Sequence, residues 1–287
     1  MGLRRKDLKL TESNLIHSSF LPFSLLSTLH NYSMLEAGTV RKKNVGEIIV
    51  KNISDVNITG LAWWAFGFSV AFVPSGNAFA GGDGMQGLFL HNVNSYGGHS
   101  AWFFQWCFVS TATSIVSGAV AERCRMSCYM GYAIVMTVAV YPVFAYWAWS
   151  TSGWLSPFNA DSSTRIGNGL IDFAGCGVVH LTGGLTSLIG AYFVGPRKGR
   201  FVTSEDGVVR VIEYTLNSES LRSVGVFTLW FGWYFFNGGT VFSLDKSLDG
   251  LPAIAAHVQI YADRRACVSE PGADEVSTGV TGCSTPA

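Results

Sequence analysis

The stretch that decides the fold is IDFAGCGVVHLTGG, residues 171–184, an apolar run that contains two ionisable side chains, Asp172 and His180. Apolar residues continue to Val194, so the run is long enough for a membrane-spanning helix, which needs about 20 residues. An ionisable side chain within a bilayer costs at least ~2.5 kcal/mol and usually indicates a function. On a continuous helix, a spacing of eight residues separates the two side chains by about 12 Å. The pair therefore indicates a pathway for a polar solute.

The composition of the 287-residue chain favours a polytopic membrane protein over a soluble domain. Hydrophobic residues make up 48% of the chain and charged residues only 13%, with a mean hydropathy of +0.30. The formal net charge is zero, so no nucleic-acid surface is indicated. The six cysteines show no CxxC pair, which favours small buried side chains over metal ligands. No nucleophile, metal-site or phosphate-loop motif indicates an enzyme.

Five segments have the length and apolarity of membrane spans. The first is expected to be the second half of a longer helix that begins near Asn44. The segment Met1–Leu35 is a weaker candidate, because Pro22 and several histidines and serines interrupt its apolar residues. The five predicted spans cover about Val56–Val73, Ala101–Ala121, Met126–Trp149, Asp172–Val194 and Ser223–Thr240.

The basic residues in the short connections predict the orientation of the spans. Lysines and arginines cluster in alternate connections, at Arg41–Lys43, Arg123–Arg125 and Arg197–Arg200. Because short cytoplasmic loops carry an excess of basic residues, these three connections are expected in the cytoplasm. The other two connections, Pro74–His99 and Thr151–Leu170, carry almost no basic charge and are expected outside.

Aromatic side chains recur near the ends of the predicted spans and have two interpretations. They form interfacial belts and helix packing, or they converge on one vestibule, where aromatic faces attract a small cation by ~0.5 to 2 kcal/mol. Asp172 and His180 also have structural alternatives, a helix-capping carboxylate and a buried imidazole bonded to a backbone carbonyl. Phe104 and Phe108 are i, i+4 neighbours that can stack. The aromatic series comprises Phe104, Phe108, Trp147, Trp149, Trp233 and Phe236.

Several long motifs make the chain similar to one family, the ammonium transporters of the Amt, Mep and Rh superfamily. The resemblance covers roughly Tyr32 to Phe242 and is closer to the Amt branch than to Rh. The matching motifs, in chain order, are MLEAGTVRKKN (34–44), LAWWAFG (61–67), FQW (104–106), IVSGAVAER (115–123), DFAGCGVVH (172–180), GPRKGRF (195–201) and WFGWYFFNGG (230–239).

The resemblance implies a role for each of six residues. Phe108, Trp149 and Thr240 match the external site that recruits ammonium, with threonine where the family usually has serine. Asp172 matches the buried carboxylate that organises this site. Phe108 and Phe236 match two stacked gate rings, and His180 matches the first of two pore histidines. In the implied scheme neutral ammonia crosses an apolar lumen, which avoids the penalty for a charge inside the membrane.

The same resemblance implies the surroundings in which such a protein works. The partners implied are ammonium or ammonia, the lipid bilayer and two further copies of the chain in a homotrimer. The location implied is the plasma membrane, as a multi-pass protein. No cofactor, metal or nucleic acid is implied.

The predicted fold is an all-α polytopic membrane protein that resembles the N-terminal half of an eleven-helix transporter with two inverted halves. The predicted organisation is a divergent segment at 1–33 with a weak first span, a transporter-like region of about five spans at 34–242, and a polar, disordered tail at 243–287. The motifs match about helices two to six, and His257 is not expected to replace the second pore histidine. Two functions stay open: ammonium transport, or a non-conducting truncated subunit that only interacts with full-length family members.

Overall fold

The computed structural model describes residues 32–244, except for 76, 83–86, 97 and 173, and five long helices dominate this part of the chain. Residues 32–39 form a further helical segment. The predicted first span and the predicted tail after residue 244 lie outside the described residues. The long helices are α1 (Val45–Ala62, a π-helical segment Trp63–Gly67, and Phe68–Phe72), α2 (Gly98–Val120), α3 (Met126–Val135, a π-helical segment Met136–Val140, and Tyr141–Trp149), α4 (a π-helical segment Cys176–Leu181, then Thr182–Val194) and α5 (Glu219–Leu244).

Three helices in the described part are long and apolar enough to cross a membrane. They are Ala101–Val120 in α2, Met126–Trp149 in α3 and Cys176–Val194 in α4, which coincide with the second, third and fourth predicted spans. The first and fifth predicted spans are also helical, in α1 and α5, and their passage through the membrane stays a prediction. As expected, α1 is a long helix that begins next to Asn44.

One detail of the predicted fold needs correction, and a second detail was not predicted. Asp172 precedes α4, which begins at Cys176, so the 12 Å separation from His180 that assumed a continuous helix does not apply. The cause is a turn at Gly175, whose φ of +86° suits glycine and interrupts the helix. The second detail is a two-stranded antiparallel hairpin between α4 and α5, in which β1 (Phe201–Thr203) pairs with β2 (Val209–Val211). The hairpin is a short addition to a mostly helical fold.

The π-helical segments of α1 and α3 meet where the two helices cross. A side chain at Gly67 would lie 2.5 Å from the Thr137 carbonyl oxygen, so only glycine permits this approach. In α3 the π-helical segment immediately precedes Tyr141 and Pro142. Proline has no amide hydrogen and its ring crowds the preceding turn, which favours a local change of helical pitch. Around this crossing lies the main core, which includes Trp63, Phe68, Phe108, Tyr141 and Phe236.

The three basic connections meet at one end of the helices, around the buried carboxylate of Glu122. Its Oε1 accepts hydrogen bonds from the backbone and Nε of Arg41 at 3.0 and 3.1 Å, and Asn44 also donates to it. Its Oε2 lies 3.1 Å from Nη1 of Arg197. Arg123 donates to the Gly195 carbonyl oxygen at 2.6 Å. This convergence agrees with the prediction that the three connections share one side of the membrane.

The two connections without basic clusters meet at the other end. The Trp147 indole donates to the Phe79 carbonyl oxygen at 2.6 Å, and the Tyr146 hydroxyl donates to the Asn77 carbonyl oxygen at 2.7 Å. The Trp154 amide donates to the Ala78 carbonyl oxygen at 3.3 Å. These bonds join 74–99 to 151–170 and to the end of α3, which agrees with their predicted common side.

Glycines allow the helical segment 32–39 to contact the backbone of α5. A Cβ atom at Gly38 would overlap the backbone of Arg222, and one at Gly225 would lie 2.5 Å from the Leu35 amide nitrogen. We expect Gly38→Ala to destabilise the protein by about 1–3 kcal/mol, because neither backbone can move aside without separating the helices. Thermal unfolding of the purified protein in detergent measures this loss.

Gly131 provides the matched control, because a Cβ atom there meets nothing within 4 Å in the middle of α3. Alanine is the better helix former, so Gly131→Ala should be neutral or stabilising by up to ~1 kcal/mol. Equal unfolding temperatures for the two variants would contradict the close backbone contact.

Candidate functional site

Asp172 organises the turn that leads into α4. Its Oδ1 accepts a hydrogen bond from the Gly175 amide at 2.9 Å, and its Oδ2 accepts from Gly177 at 3.0 Å and from Val178 at 2.7 Å. The carboxylate thus binds amides that have no partner within the helix and faces the positive end of the helix dipole. This is the capping role that the sequence offered as the structural alternative. Asp172 is 8% exposed.

Trp149 is fixed by the same turn. Its indole nitrogen donates to the backbone carbonyl oxygen of Asp172 at 2.7 Å, which joins the end of α3 to the start of α4. Its ring contacts Phe108 edge to face, with centroids 5.7 Å apart and planes at 86°. The orientation of Trp149 toward Phe108 is therefore set by a backbone turn and not by side-chain packing alone.

Phe108 and Phe236 form a stacked pair between α2 and α5. Their ring centroids are 4.3 Å apart, the planes differ by 26°, and each residue is 1% exposed. Phe104 lies one helical turn from Phe108, with a centroid distance of 4.8 Å. The stacking that the sequence suggested for Phe104 and Phe108 is a tilted contact, and the face-to-face partner of Phe108 is Phe236.

His180 lies beside the second ring of this pair. Its centroid is 6.2 Å from that of Phe236 and 5.6 Å from that of Trp233, and those two rings stack on each other at 5.0 Å. The His180 amide donates to the Gly175 carbonyl oxygen at 2.9 Å, a bond across five residues that is characteristic of a π-helix. This wide turn sets the direction in which the imidazole leaves α4.

The structure brings most of the predicted aromatic series together in one line of ring contacts. The line, which we call the aromatic path, runs from Trp149 through Phe108 and Phe236 to His180, with Phe104 and Trp233 beside it. Trp147 is separate and packs with Phe79, Phe144 and Trp154. Thr240 belongs to α5, and its side chain lies outside the described residues.

Two residues next to the site had no role in the sequence analysis. Gly175 permits the turn, because its φ is positive and a Cβ atom there would lie 2.5 Å from a Val179 methyl group. Tyr141 is fully buried in the core that also contains Phe108 and Phe236. The glycine between Asp172 and the helix was a signal for a turn. Tyr141 lies 31 positions before Asp172, and no sequence pattern connects the two.

Comparisons with known proteins agree with this geometry. Residues 20–267 match the model of the Ammonium Transporter Family, a longer stretch than the motifs cover. Ammonium transporter 1 member 1 of Arabidopsis thaliana is 41% identical over 209 residues, which are 72% of this chain and 40% of the relative. Ammonium transporter 1 member 2 of Oryza sativa subsp. japonica is 40% identical over 234 residues, or 81% of this chain and 45% of the relative. The chain therefore spans less than half the length of these relatives.

Solved structures show the same architecture. A Sensor Amt Protein superposes with a TM-score of 0.69 at 28% identity, over 88% of this chain and 63% of that one. Mep2 of Candida albicans superposes with a TM-score of 0.64 at 25% identity, over 80% of this chain and 48% of Mep2. The arrangement of the described helices is therefore that of the Amt and Mep proteins.

Proposed function

Because the chain belongs to the ammonium transporter family, we propose that it takes part in the transport of ammonium across a membrane, with the aromatic path as the route of the substrate. One observation carries this proposal: the ring contacts from Trp149 through Phe108 and Phe236 lead to His180, the one imidazole on the path. A line of aromatic rings that ends at a polar group in an apolar helix suits a small, weakly hydrated solute.

Recruitment of the cation is proposed at the Trp149 end. Aromatic faces attract a small cation, and the indole is held in place by its bond to the Asp172 backbone. The carboxylate of Asp172 is occupied by three amides, so it supports the site through its charge and through the turn without binding the ion itself. Thr240 would add a hydroxyl acceptor, as the match to the family motif implies.

The stacked rings of Phe108 and Phe236 are proposed as a gate. Rings at 4.3 Å leave no room for a solute between them, so passage requires a rotation of at least one ring. An intact ammonium ion would meet the full cost of a charge in an apolar environment at this point, whereas neutral ammonia would not. We therefore place the loss of the proton before the gate and the passage of ammonia beyond it.

His180 is proposed to receive the solute after the gate. A neutral imidazole has one donor and one acceptor nitrogen, so it can hydrogen-bond ammonia on either side. Its position beside Phe236 and Trp233 puts this polar group where the solute leaves the rings. Without it, ammonia would cross an apolar region with no hydrogen-bond partner.

Transport by this chain can be measured as the accumulation of methylammonium in cells that lack ammonium uptake. We expect His180→Ala to lower accumulation by about 5- to 150-fold, the equivalent of the ~1–3 kcal/mol lost with a buried hydrogen-bonding group. Leu181→Ala is the matched control, because this neighbour on α4 is 67% exposed and is not part of the aromatic path, so its replacement should leave uptake unchanged.

Two outcomes would contradict the proposal. Accumulation equal to that of the empty vector would exclude transport by this chain alone. The interaction-only role would then require that the chain alter uptake by a co-expressed full-length relative. Equal uptake by the wild type and His180→Ala would instead exclude the aromatic path as the route.

The assembly and location are also proposals that rest on the family. We propose a homotrimer in the plasma membrane. Chemical cross-linking of the protein in native membranes, followed by electrophoresis, should give a ladder that ends at three copies. Fractionation should recover the protein with plasma-membrane markers.

A further inference from the structure

A second group of buried polar side chains lies apart from the aromatic path, where α1 packs against α2, α3 and the helical segment 32–39. Each member is at most 9% exposed. Three of them lie on one face of α1, and a fourth lies on the segment 32–39 that precedes it. None of them has a part in the proposed transport. The group, which we call the polar cluster, comprises Glu36, Lys51, Asn52, Asp55, Thr113, Ser117 and Tyr129.

At one end of the polar cluster, both carboxylate oxygens of Glu36 have hydrogen-bond partners. Lys51 Nζ lies 3.2 Å from Glu36 Oε2, and Asn52 donates to the same oxygen at 2.8 Å. Ser117 donates to Glu36 Oε1 and accepts a hydrogen bond from Lys51. The positive charge of Lys51 is therefore matched by the negative charge of Glu36, with hydrogen bonds to both carboxylate oxygens.

At the other end, Asp55 has no such compensation. Its Oδ2 accepts a hydrogen bond from the Tyr129 hydroxyl at 3.1 Å, and this hydroxyl is also 3.2 Å from the Thr113 carbonyl oxygen. Its Oδ1 is buried and has no hydrogen-bond partner among the described residues. Asp55 itself is 2% exposed. Within the described part of the chain, the carboxyl group of Asp55 is thus supported by a single hydroxyl hydrogen, which it shares with the Thr113 carbonyl group.

The charged groups around Asp55 do not balance the negative charge that its ionised carboxylate would carry. The titratable groups that interact with it are Lys51 on α1, Glu36 on the segment 32–39, and Tyr129 and Tyr132 on α3. The polar-cluster residues that α2 contributes are the hydroxyl side chains Thr113 and Ser117, which carry no charge. Since Lys51 already pairs with Glu36, an ionised Asp55 would leave one negative charge in excess.

We propose that Asp55 is a binding site for one proton, separate from the route of ammonium. A buried charge without a partner costs several kcal/mol, and a proton on Oδ1 removes this charge. The Tyr129 hydroxyl then remains bonded to Oδ2, the carbonyl oxygen of the protonated group. A proton fits this position better than a metal ion, because no three His, Cys, Asp or Glu side chains converge on one point in the described part of the chain.

Infrared spectroscopy of the purified chain in lipid nanodiscs tests the site directly. A protonated carboxyl group has a C=O stretching band apart from those of carboxylates and amides. We expect the wild type at mildly acidic pH to show a band that Asp55→Asn lacks, with the intensity of one group per chain. Asp206→Asn is the matched control, because Asp206 is exposed on the hairpin and should leave the band unchanged.

Tyr129→Phe provides a second readout that a merely structural role of Asp55 would not move. The substitution keeps the ring and removes the hydrogen bond to Oδ2, so the band should persist and shift to higher frequency. The absence of the band in the wild type would overturn the proposal, as would a bound monovalent cation, which needs the ionised carboxylate. A band that survives in a folded Asp55→Asn variant would assign the proton to another group.

Discussion

Replacing Asp172 with alanine is expected to unfold the turn before α4 and to abolish transport. The substitution leaves the buried amides of Gly175 and Val178 and the partly buried amide of Gly177 without their shared acceptor. Each unsatisfied amide costs ~1–3 kcal/mol, so we expect a loss of at least about 3 kcal/mol in the free energy of unfolding. Because Trp149 is bonded to the backbone of the same turn, the substitution also releases the external end of the aromatic path.

Thermal unfolding and methylammonium accumulation, measured on the same variant, check this expectation. Asp161→Ala is the matched control, since Asp161 also accepts hydrogen bonds in a turn but is fully exposed, and its replacement should change neither quantity measurably. If Asp172→Ala abolished uptake without any loss of stability, the carboxylate would have to act on the ion directly. That result would contradict the supporting role proposed for it.

Replacing Glu122 with glutamine is expected to loosen the end of the protein where the three basic connections meet. The Glu122 side chain is 0% exposed and faces Arg41 and Arg197, so the variant leaves two partly buried guanidinium groups without a counter-charge. Removing one partner from a buried ion pair costs about 3–5 kcal/mol, and the partial exposure of both arginines places this case near 3 kcal/mol. Thermal unfolding at neutral pH measures the loss.

The stability contributed by Glu122 should also depend on pH. Burial by itself raises the pKa of Glu122, but the hydrogen bonds from Arg41 and Asn44 and the charge of Arg197 outweigh it and hold the pKa below its usual value. A carboxyl group whose pKa is lowered on folding stabilises the protein fully above its unfolded pKa of about 4.3, and this contribution is lost as the pH falls through the folded pKa.

The unfolding temperature of the wild type should therefore fall more steeply between neutral pH and pH values below about 4 than that of Glu122→Gln. Glu205→Gln, which alters an exposed glutamate between β1 and β2, should follow the wild type at every pH. If the unfolding temperatures of the wild type and of Glu122→Gln changed in parallel with pH, the Glu122 carboxylate would not be the group that stabilises the contact with Arg41 and Arg197.

The local sequence was sufficient to predict α2, α3 and α4, the three helices that are long and apolar enough to cross a membrane. The apolar runs of α2, α3 and α4 contain 20, 24 and 19 residues, which is about the length that crosses the hydrocarbon core of a bilayer as a helix. In that environment a helix satisfies all backbone hydrogen bonds within the segment. The motif around Asp172 and His180 also selected these two residues as candidates for the site, and their roles stay a prediction. The start of α4 was misplaced because apolarity reports burial and not backbone conformation, whereas the start depends on the turn at Gly175.

Other features depend on residues that are far apart in the chain. Glu122 meets Arg41 across 81 positions, and Asp55 meets Tyr129 across 74 positions. Lys51 and Asp55 precede the first predicted span, Val56–Val73, and the sequence assigned no partner to either. The cost of such charges in a bilayer depends on partners that only folding supplies. The structure places both in the interior of α1, where helices from three other parts of the chain provide the ion pair and the hydroxyl groups.

The sequence by itself thus determined that the chain is a helical membrane protein of the ammonium transporter family, and it identified Phe108, Trp149, Asp172, His180 and Phe236 as the residues of interest. Only the tertiary structure decided that the Trp149 indole is bonded to the backbone of Asp172, that the Asp172 carboxylate caps a turn, and that Asp55 lies buried with one oxygen that has no hydrogen-bond partner among the described residues. The physical reason is the separation along the chain of the residues that interact. Helix formation and membrane burial depend on residues that are close in the sequence. Stacking, capping and charge compensation depend on which helices meet in space.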